Sequence, residues 1–157
     1  MQTQVMFYLL KDDVAEESGK DTRSAIYHAC LQASHFYRQN QRVYIYAQDK
    51  KHAEQVDEML WAFDSDSFVP HNLVGEGPKQ GAIVEIGYQA PQGRRAVLIN
   101  LNSEVPNFAN QFQFIVDFVP SDETLKQQAR ERFKTCRQWG FQVDNQAVTV
   151  SEEVAKE

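Results

Sequence analysis

Apolar residues in this chain fall into short runs and periodic stretches that alternate along its length. Val5–Leu10 (Val-Met-Phe-Tyr-Leu-Leu) is a continuous apolar run, which predicts a strand buried on both faces. From Ser24 to Arg38, Ala25, Ile26, Ala29, Cys30, Ala33, Phe36 and Tyr37 recur at helical spacing, predicting an amphipathic helix. Val43–Ala47 reads as a second strand, and Asp49 stands where it can cap a helix carrying Ala53, Val56, Met59 and Leu60 on one side and ending near Trp61. An irregular middle follows. Ile83–Ile86 then predicts a short strand, Ala96–Leu101 a stronger one, Pro106–Gln111 a short helix and Phe114–Val119 another apolar strand. The last helix is marked by Pro120 before it, Ser121 as its cap, Asp122 and Glu123 in the first turn, Arg137 near the end and Gly140 as the stop.

Strands alternating with helices predict an α/β chain: a three-layer, Rossmann-like domain with a largely parallel or mixed sheet. The length of 157 residues suits one domain, placed at 1–142, with residues 143–157 as a polar, acidic and partly disordered tail. Composition is ordinary for a globular chain, at 42% hydrophobic and 24% charged. No apolar run approaches the length of a membrane span, and the first residues lack the pattern of a secretion signal. Cys30 and Cys136 sit in separate helical patterns, as reduced core thiols of a cytoplasmic protein would.

The fold class invites a search for nucleotide chemistry. The chain has no G-x-x-x-x-G-K-[ST], and Gly75-Glu-Gly-Pro78 reads as a turn, because Pro78 removes a donor and Glu76 repels phosphate. Asp12 and Asp13 follow the first strand, where α/β proteins often bind metals, yet a solvated loop accounts for them as well. His28, His35, His52 and His71 show no metal-ligand spacing, and neither a thiol motif nor a G-x-S-x-G is present. No catalytic site, cofactor or metal is therefore expected.

Charge is more informative. The chain carries a formal net charge of −6, yet five cations fall within the last helix. On a helical projection Lys126, Arg130, Lys134 and Arg137 share one stripe, with Phe133 at its edge. Leu125, Ala129, Cys136 and Trp139 form a neighbouring stripe suited to packing, with Arg132 the odd cation inside it, placed to snorkel or to pair with a carboxylate at the buried edge. A cationic ridge beside an aromatic suits an acidic peptide with apolar side chains better than a long polyanion, although such stripes are also ordinary solvated faces. In the middle segment Trp61, Phe63, Phe68, Val69 and Leu73 stand among turn formers stiffened by Pro70 and Pro78. Exposed aromatics on a stiff loop are the composition of a protein–protein contact; a loop folded over its own small core is the other reading.

Several of these segments resemble one family. Ser67-Phe-Val-Pro-His-Asn-Leu-Val-Gly-Glu-Gly-Pro78, Gly81-Ala-Ile-Val-Glu-Ile86, Val116-Asp-Phe-Val-Pro120 and Leu125-Lys-Gln-Gln-Ala-Arg-Glu-Arg-Phe-Lys134 resemble the chi subunit of bacterial DNA polymerase III, as do Phe7-Tyr-Leu-Leu10 and Leu60-Trp-Ala62. The likeness spans about residues 5–142 and leaves out the 11–23 loop, the stretch around Gln89–Arg95 and the acidic tail. It implies a non-catalytic accessory subunit of the clamp-loader complex, part of a polymerase holoenzyme, with no nucleotide bound. It implies two partners: the psi subunit, and the acidic, Phe-terminated C-terminal tail of single-stranded DNA-binding protein. The tail-binding residues correspond to Lys126, Arg130 and Phe133 with Val119 nearby, and Lys134 adds charge. The psi-binding surface corresponds to Trp61 and Phe68 with their neighbours Val69 and Pro70, a surface that in some members a repair helicase uses instead. Phe133 stands where some relatives have Tyr. Two other functions fit the residues less well: a nucleotide-dependent enzyme using Asp12, Asp13 and Glu85, and a direct binder of single-stranded nucleic acid, which the net acidity disfavours.

Overall fold

The computed structural model describes residues 2–10, 23–62, 69–77, 81–91 and 93–148. Seven strands and three helices follow in the order β1 (Gln4–Leu10), α1 (Arg23–Arg38), β2 (Val43–Tyr46), α2 (Lys50–Ala62), β3 (His71–Leu73), β4 (Val84–Gly87), β5 (Val97–Asn100), β6 (Phe114–Val119), α3 (Glu123–Gln138) and β7 (Gln142–Val148). They form one sheet in the order β3-β4-β2-β5-β6-β1-β7. Every pairing among the described residues is parallel, which settles the choice between a parallel and a mixed sheet.

The apolar runs explain the centre of the sheet. All four residues of β5 are buried, as are Val43, Tyr44 and Ile45 of β2, because helices or loops cover both faces. Val43, Ile45, Val84, Ile86, Val97, Ile99, Val116 and Phe118 meet α1 and α2 through Ile26, Ala29, Cys30, Ala33, Ala53, Val56 and Leu60. The alternate residues Val5, Phe7, Tyr44, Leu98 and Ile115 face the other way, toward Phe108, Ala109, Phe112 and Cys136. One face of the sheet therefore carries α1 and α2, and the other carries α3 with the 105–112 segment. The short helix expected at Pro106–Gln111 is a single 3-10 turn, Ala109–Gln111.

Helix ends follow side-chain chemistry. Asp49 caps α2 by accepting the His52 amide at 2.8 Å. The cap of α3 is Asp122 and not Ser121: Asp122 is extended (φ −60°, ψ 132°) and its carboxylate accepts the Leu125 amide at 3.0 Å. An ionised cap is further favoured by the helix dipole. Gly140, at φ 82°, reverses the chain after α3, a backbone conformation that costs glycine nothing.

Three expectations are corrected. Residues 143–148 are not tail but part of β7, which pairs in parallel with β1 from Gln4↔Gln142 to Leu10↔Val148. Backbone pairing at the sheet edge holds this strand, so its polar side chains can stay in water; residues 149–157 lie outside the described residues. The middle segment is not wholly irregular, since β3 adds three residues to the edge of β4. Trp139 is not packed on the body: it is 47% exposed, because α3 has ended at Gln138 and the chain turns there.

Candidate functional site

The site is built on α3. Its buried side consists of Ala129, Arg132 and Cys136. Arg132 resolves the anomaly of a cation in an apolar stripe. Its Nε donates to both Asp117 carboxylate oxygens at 3.1 and 3.0 Å, and its Nη2 lies 3.0 Å from Asp117 Oδ1. Two further guanidinium hydrogens go to the carbonyls of Ser103 (3.2 Å) and Phe118 (3.0 Å). Asp117 is only 2% exposed and also accepts from the Phe118 amide at 2.7 Å and from Asn100 Nδ2 at 3.3 Å. Burial pushes its carboxyl up, while the Arg132 charge and these hydrogen bonds pull it back. A buried pair with this many partners fixes the rotation of α3 about its axis.

That rotation decides what α3 shows to solvent. Phe133, next to Arg132, is half-buried with its ring 5.2 Å from that of Phe7 on β1. Val119, at the end of β6, is also half-buried and belongs to the same cluster. Lys126 is partly exposed, and Arg130, Lys134 and Arg137 are exposed. Lys126 lies 3.7 Å from Glu123, Lys134 lies 3.8 Å from Glu131, and Arg130 donates to Gln127 at 3.4 Å. These are surface contacts one turn apart, weak enough to exchange for an incoming carboxylate. Phe133 and Val119 thus share one apolar cluster, and Lys126, Arg130 and Lys134 follow one row of α3, which starts at the C-terminal edge of the sheet and runs back along it.

The second expected surface is only partly on view. Trp61, at the end of α2, is 63% exposed and stands edge-on to the His71 ring at 5.0 Å. His71 is held between the Val69 carbonyl (2.7 Å) and Asp57 (3.3 Å), so Trp61 rests on a fixed support. Pro70 is half-buried beside it. Val69 departs from expectation: it is 1% exposed and packs in the core under α2, so its side chain is not available to a partner. Phe68 and Phe63 lie outside the described residues, as do Asp12 and Asp13.

Among the described residues, Arg95 and Glu85 serve the fold. Arg95 is buried, pairs with Glu85 at 3.3 Å and donates to the carbonyls of Val43, Ala82 and Ile83 at 3.2, 2.9 and 2.8 Å. Gly81 is needed there, because at φ +78° a Cβ would sit 2.6 Å from the Arg95 guanidinium and 2.7 Å from the Glu85 carboxylate. Arg95, in a stretch that sequence reasoning left without a role, thus ties the starts of β2 and β4 together. Burial pushes both thiols up, Cys136 to about 12, which leaves them neutral and unreactive. Among the described residues no group of three or more His, Cys, Asp or Glu could hold a metal ion, and no helix is long and apolar enough to cross a membrane. The cavity at the ends of β5 and β6, lined by His52, Asn100, Asp117 and Arg132, measures about 50 Å³. Ligand pockets typically run to about 300–1,000 Å³.

The chain resembles known proteins over most of its length. Residues 1–144 match the family model described as DNA polymerase III chi subunit, HolC. A DNA polymerase III subunit chi from Escherichia coli is 42% identical over 140 residues, covering 88% of this chain and 93% of that one. One from Haemophilus influenzae is 40% identical over 122 residues, covering 76% and 85%. One from Pseudomonas aeruginosa is 29% identical over 139 residues, covering 88% and 92%. An α/β sheet without a phosphate loop, an exposed cationic helix and relatives matched over nearly their full length lead to one assignment: the chain belongs to the family of DNA polymerase III chi subunits.

Proposed function

We propose that this chain serves DNA replication as a non-catalytic accessory subunit of DNA polymerase III, linking the psi subunit to the C-terminal tail of single-stranded DNA-binding protein. The observation that carries the reading is the row of the partly exposed Lys126 and the exposed Arg130 and Lys134 on an acidic protein, on the helix that also carries the half-buried Phe133, which shares an apolar cluster with Val119. Arg130 offers a planar fork for a terminal carboxylate, the lysines add point charge for upstream acidic residues, and the apolar floor receives a terminal aromatic ring. The psi-binding role falls to Trp61, Pro70 and Phe68. A bridge needs two surfaces that do not overlap, and α2 and α3 pack on opposite faces of the sheet. Trp61 belongs moreover to the edge where the strands begin, while Val119 and Lys126 belong to the edge where they end.

The test is a titration of the chain, alone and with psi bound, with a labelled acidic peptide ending in Phe. The reading expects binding that Arg130→Ala weakens and psi does not displace. A folded chain that ignores the peptide removes the tail role, and displacement of the peptide by psi removes the bridge.

A further inference from the structure

The chain contains two tryptophans, and both stand in solvent. Trp61 belongs to the surface proposed for psi, whereas Trp139 belongs neither to that surface nor to the cationic row. It is 47% exposed just past the end of α3. A single exposed indole would carry no meaning alone; its rigidity and its neighbours give it one.

Gly140, at φ 82°, turns the chain so that Trp139 and Phe141 flank it with their rings 5.9 Å apart at 86°, an edge-to-face pair. Main-chain hydrogen bonds pin this turn. The amides of Trp139, Gly140 and Phe141 donate to the carbonyls of Thr135, Arg137 and Cys136 at 3.0, 3.1 and 3.1 Å, and Gln2 Nε2 donates to the Gly140 carbonyl at 2.8 Å. Phe141 is half-buried and packs on the core beneath α3. The other wall is the stretch 106–112, where the amides of Ala109, Gln111 and Phe112 each donate to the carbonyl three residues back. Such tight winding puts residues three apart on one side. Phe108, Ala109 and Phe112 go into the core, and Asn107 and Asn110 are left exposed. Trp139, Phe141, Asn107 and Asn110 together line an open groove of about 360 Å³, within the usual range of ligand pockets, about 300–1,000 Å³.

Two properties of this groove select its occupant. It holds hydrogen-bond donors that the fold does not use: among the described residues, the Trp139 indole N–H and the side-chain amides of Asn107 and Asn110 have no partner. Among the described residues no charged side chain lines it. A nucleic-acid strand needs cations for its phosphates, and an acidic peptide needs them for its carboxylates; the groove supplies neither. A proline-rich segment matches both properties. In polyproline II form it makes no internal hydrogen bonds, so its carbonyls are open to outside donors. Proline brings no N–H that would need an acceptor. Its rings pack on aromatic side chains, and its preformed conformation lowers the entropy cost of docking.

We infer that the groove between Trp139, Phe141, Asn107 and Asn110 docks a proline-rich segment in the polyproline II conformation. Proline rings lie against the two aromatic rings, and the indole N–H and the asparagine amides donate to the carbonyls of the segment. Lys126, at the start of the cationic row, lies about 20 Å back along α3, so this contact is independent of the peptide site proposed there.

The test is an anisotropy titration of the full chain with labelled decaproline, with a Gly-Ser peptide of equal length and an oligothymidylate of ten nucleotides as controls. The chain should bind decaproline saturably and ignore the Gly-Ser peptide. With no charge involved, the affinity should change less than about twofold between about 0.05 and 0.5 M salt. Trp139→Ala should weaken binding about 10- to 30-fold, as loss of an aromatic anchor does. Asn110→Ala should weaken it about two- to tenfold, the effect of one neutral hydrogen bond. Both positions are exposed, so circular dichroism should show both variants folded. Trp61→Ala should leave decaproline binding unchanged, which separates this groove from the surface proposed for psi. A folded chain that does not bind decaproline overturns the inference, and so does equal binding by Trp139→Ala. Oligothymidylate binding that Trp139→Ala abolishes, with decaproline ignored, also overturns it and makes the groove a stacking platform for bases.

Discussion

Two arginines, two residues apart on α3, should fail in opposite ways when replaced. Arg132→Ala removes the bidentate partner of a carboxylate that is 2% exposed, leaving Asp117 with only the Phe118 amide and the Asn100 side chain. It also frees the Ser103 and Phe118 carbonyls that the guanidinium had satisfied. Breaking a buried pair from one side costs about 3–5 kcal/mol. At this chain length that lowers Tm by roughly 6–20 °C, taking about 2–4 °C per kcal/mol. The loss should shrink as pH falls. Without Arg132, burial of Asp117 is opposed only by the Phe118 amide and the Asn100 side chain, and it holds the folded pKa above the unfolded value. The folded variant then binds the proton more readily than the unfolded chain, so its stability relative to wild type recovers from pH 8 toward pH 5. Arg132→Met with Asp117→Leu removes both charges and should regain most of the stability. Arg130→Ala, by contrast, deletes an exposed side chain with one weak partner and should leave Tm within the range of ordinary surface changes, about 0.5 kcal/mol. Its effect belongs to the peptide titration, where losing a charged hydrogen bond costs about 1.5–3 kcal/mol, or roughly 10- to 150-fold in Kd. Thermal unfolding and peptide titration on both variants decide the matter. The reasoning is refuted if Arg132→Ala costs less than about 1 kcal/mol, or if Arg130→Ala keeps full affinity.

Three further outcomes follow from the same contacts. Trp61→Ala should weaken psi binding by roughly 2 kcal/mol or more, as a hot-spot aromatic does, while peptide titration stays unchanged; full retention of psi on an affinity column would exclude Trp61 from that surface. His52 is buried with its Nδ1 accepting the Gln48 amide at 3.1 Å, and burial lowers its pKa below 6.5. The unfolded chain therefore takes up the proton first, so this contribution is complete above pH 6.5 and is lost as pH falls below it; urea melts from pH 7.5 to 5 should show that slope in wild type and a flatter one in His52→Asn. Gly81→Ala forces a Cβ into the Arg95–Glu85 pair at positive φ and should destabilise by about 2 kcal/mol, read from the urea midpoint.

What the sequence revealed and what it hid divide along physical lines. Strands buried on both faces announce themselves as apolar runs, so β1, β2, β5 and β6 were legible within a residue or two at each end. β7 was not, because Gln-Val-Asp-Asn-Gln-Ala-Val offers little apolar surface, and the strand is held by backbone pairing to β1 that no side-chain period reports. β3 is three residues long, below the length at which alternation means anything. Arg132 was visible as a misfit in an apolar stripe, and Asp117 as a carboxylate inside an apolar strand, but only the register of β6 under α3 joins the two. Val69 was misjudged because burial of a loop side chain depends on α2 lying over it, a tertiary fact. The cationic row was legible because helical periodicity alone places Lys126, Arg130 and Lys134 together.

A bridge can work by simple tethering or by passing a signal, and the fold bears on which. Between Trp61 and Arg130 lie α2, then β2 and β5 with almost every residue buried, then β6 locked to α3 by the Arg132–Asp117 pair. Coupling between distant sites requires an element with two packings of similar energy. A parallel sheet closed on both faces, with its polar contacts satisfied, offers none along this path. The two binding free energies should therefore add, as they do for well-separated sites, to within about 0.5 kcal/mol. The acidic peptide should then bind the chain alone and the chain–psi complex with Kd values within about twofold of each other. Titration of both species under the same salt measures this directly. A larger difference in either direction would mean that psi reaches α3 itself or reshapes it, and that the chain relays a signal in addition to holding two partners together.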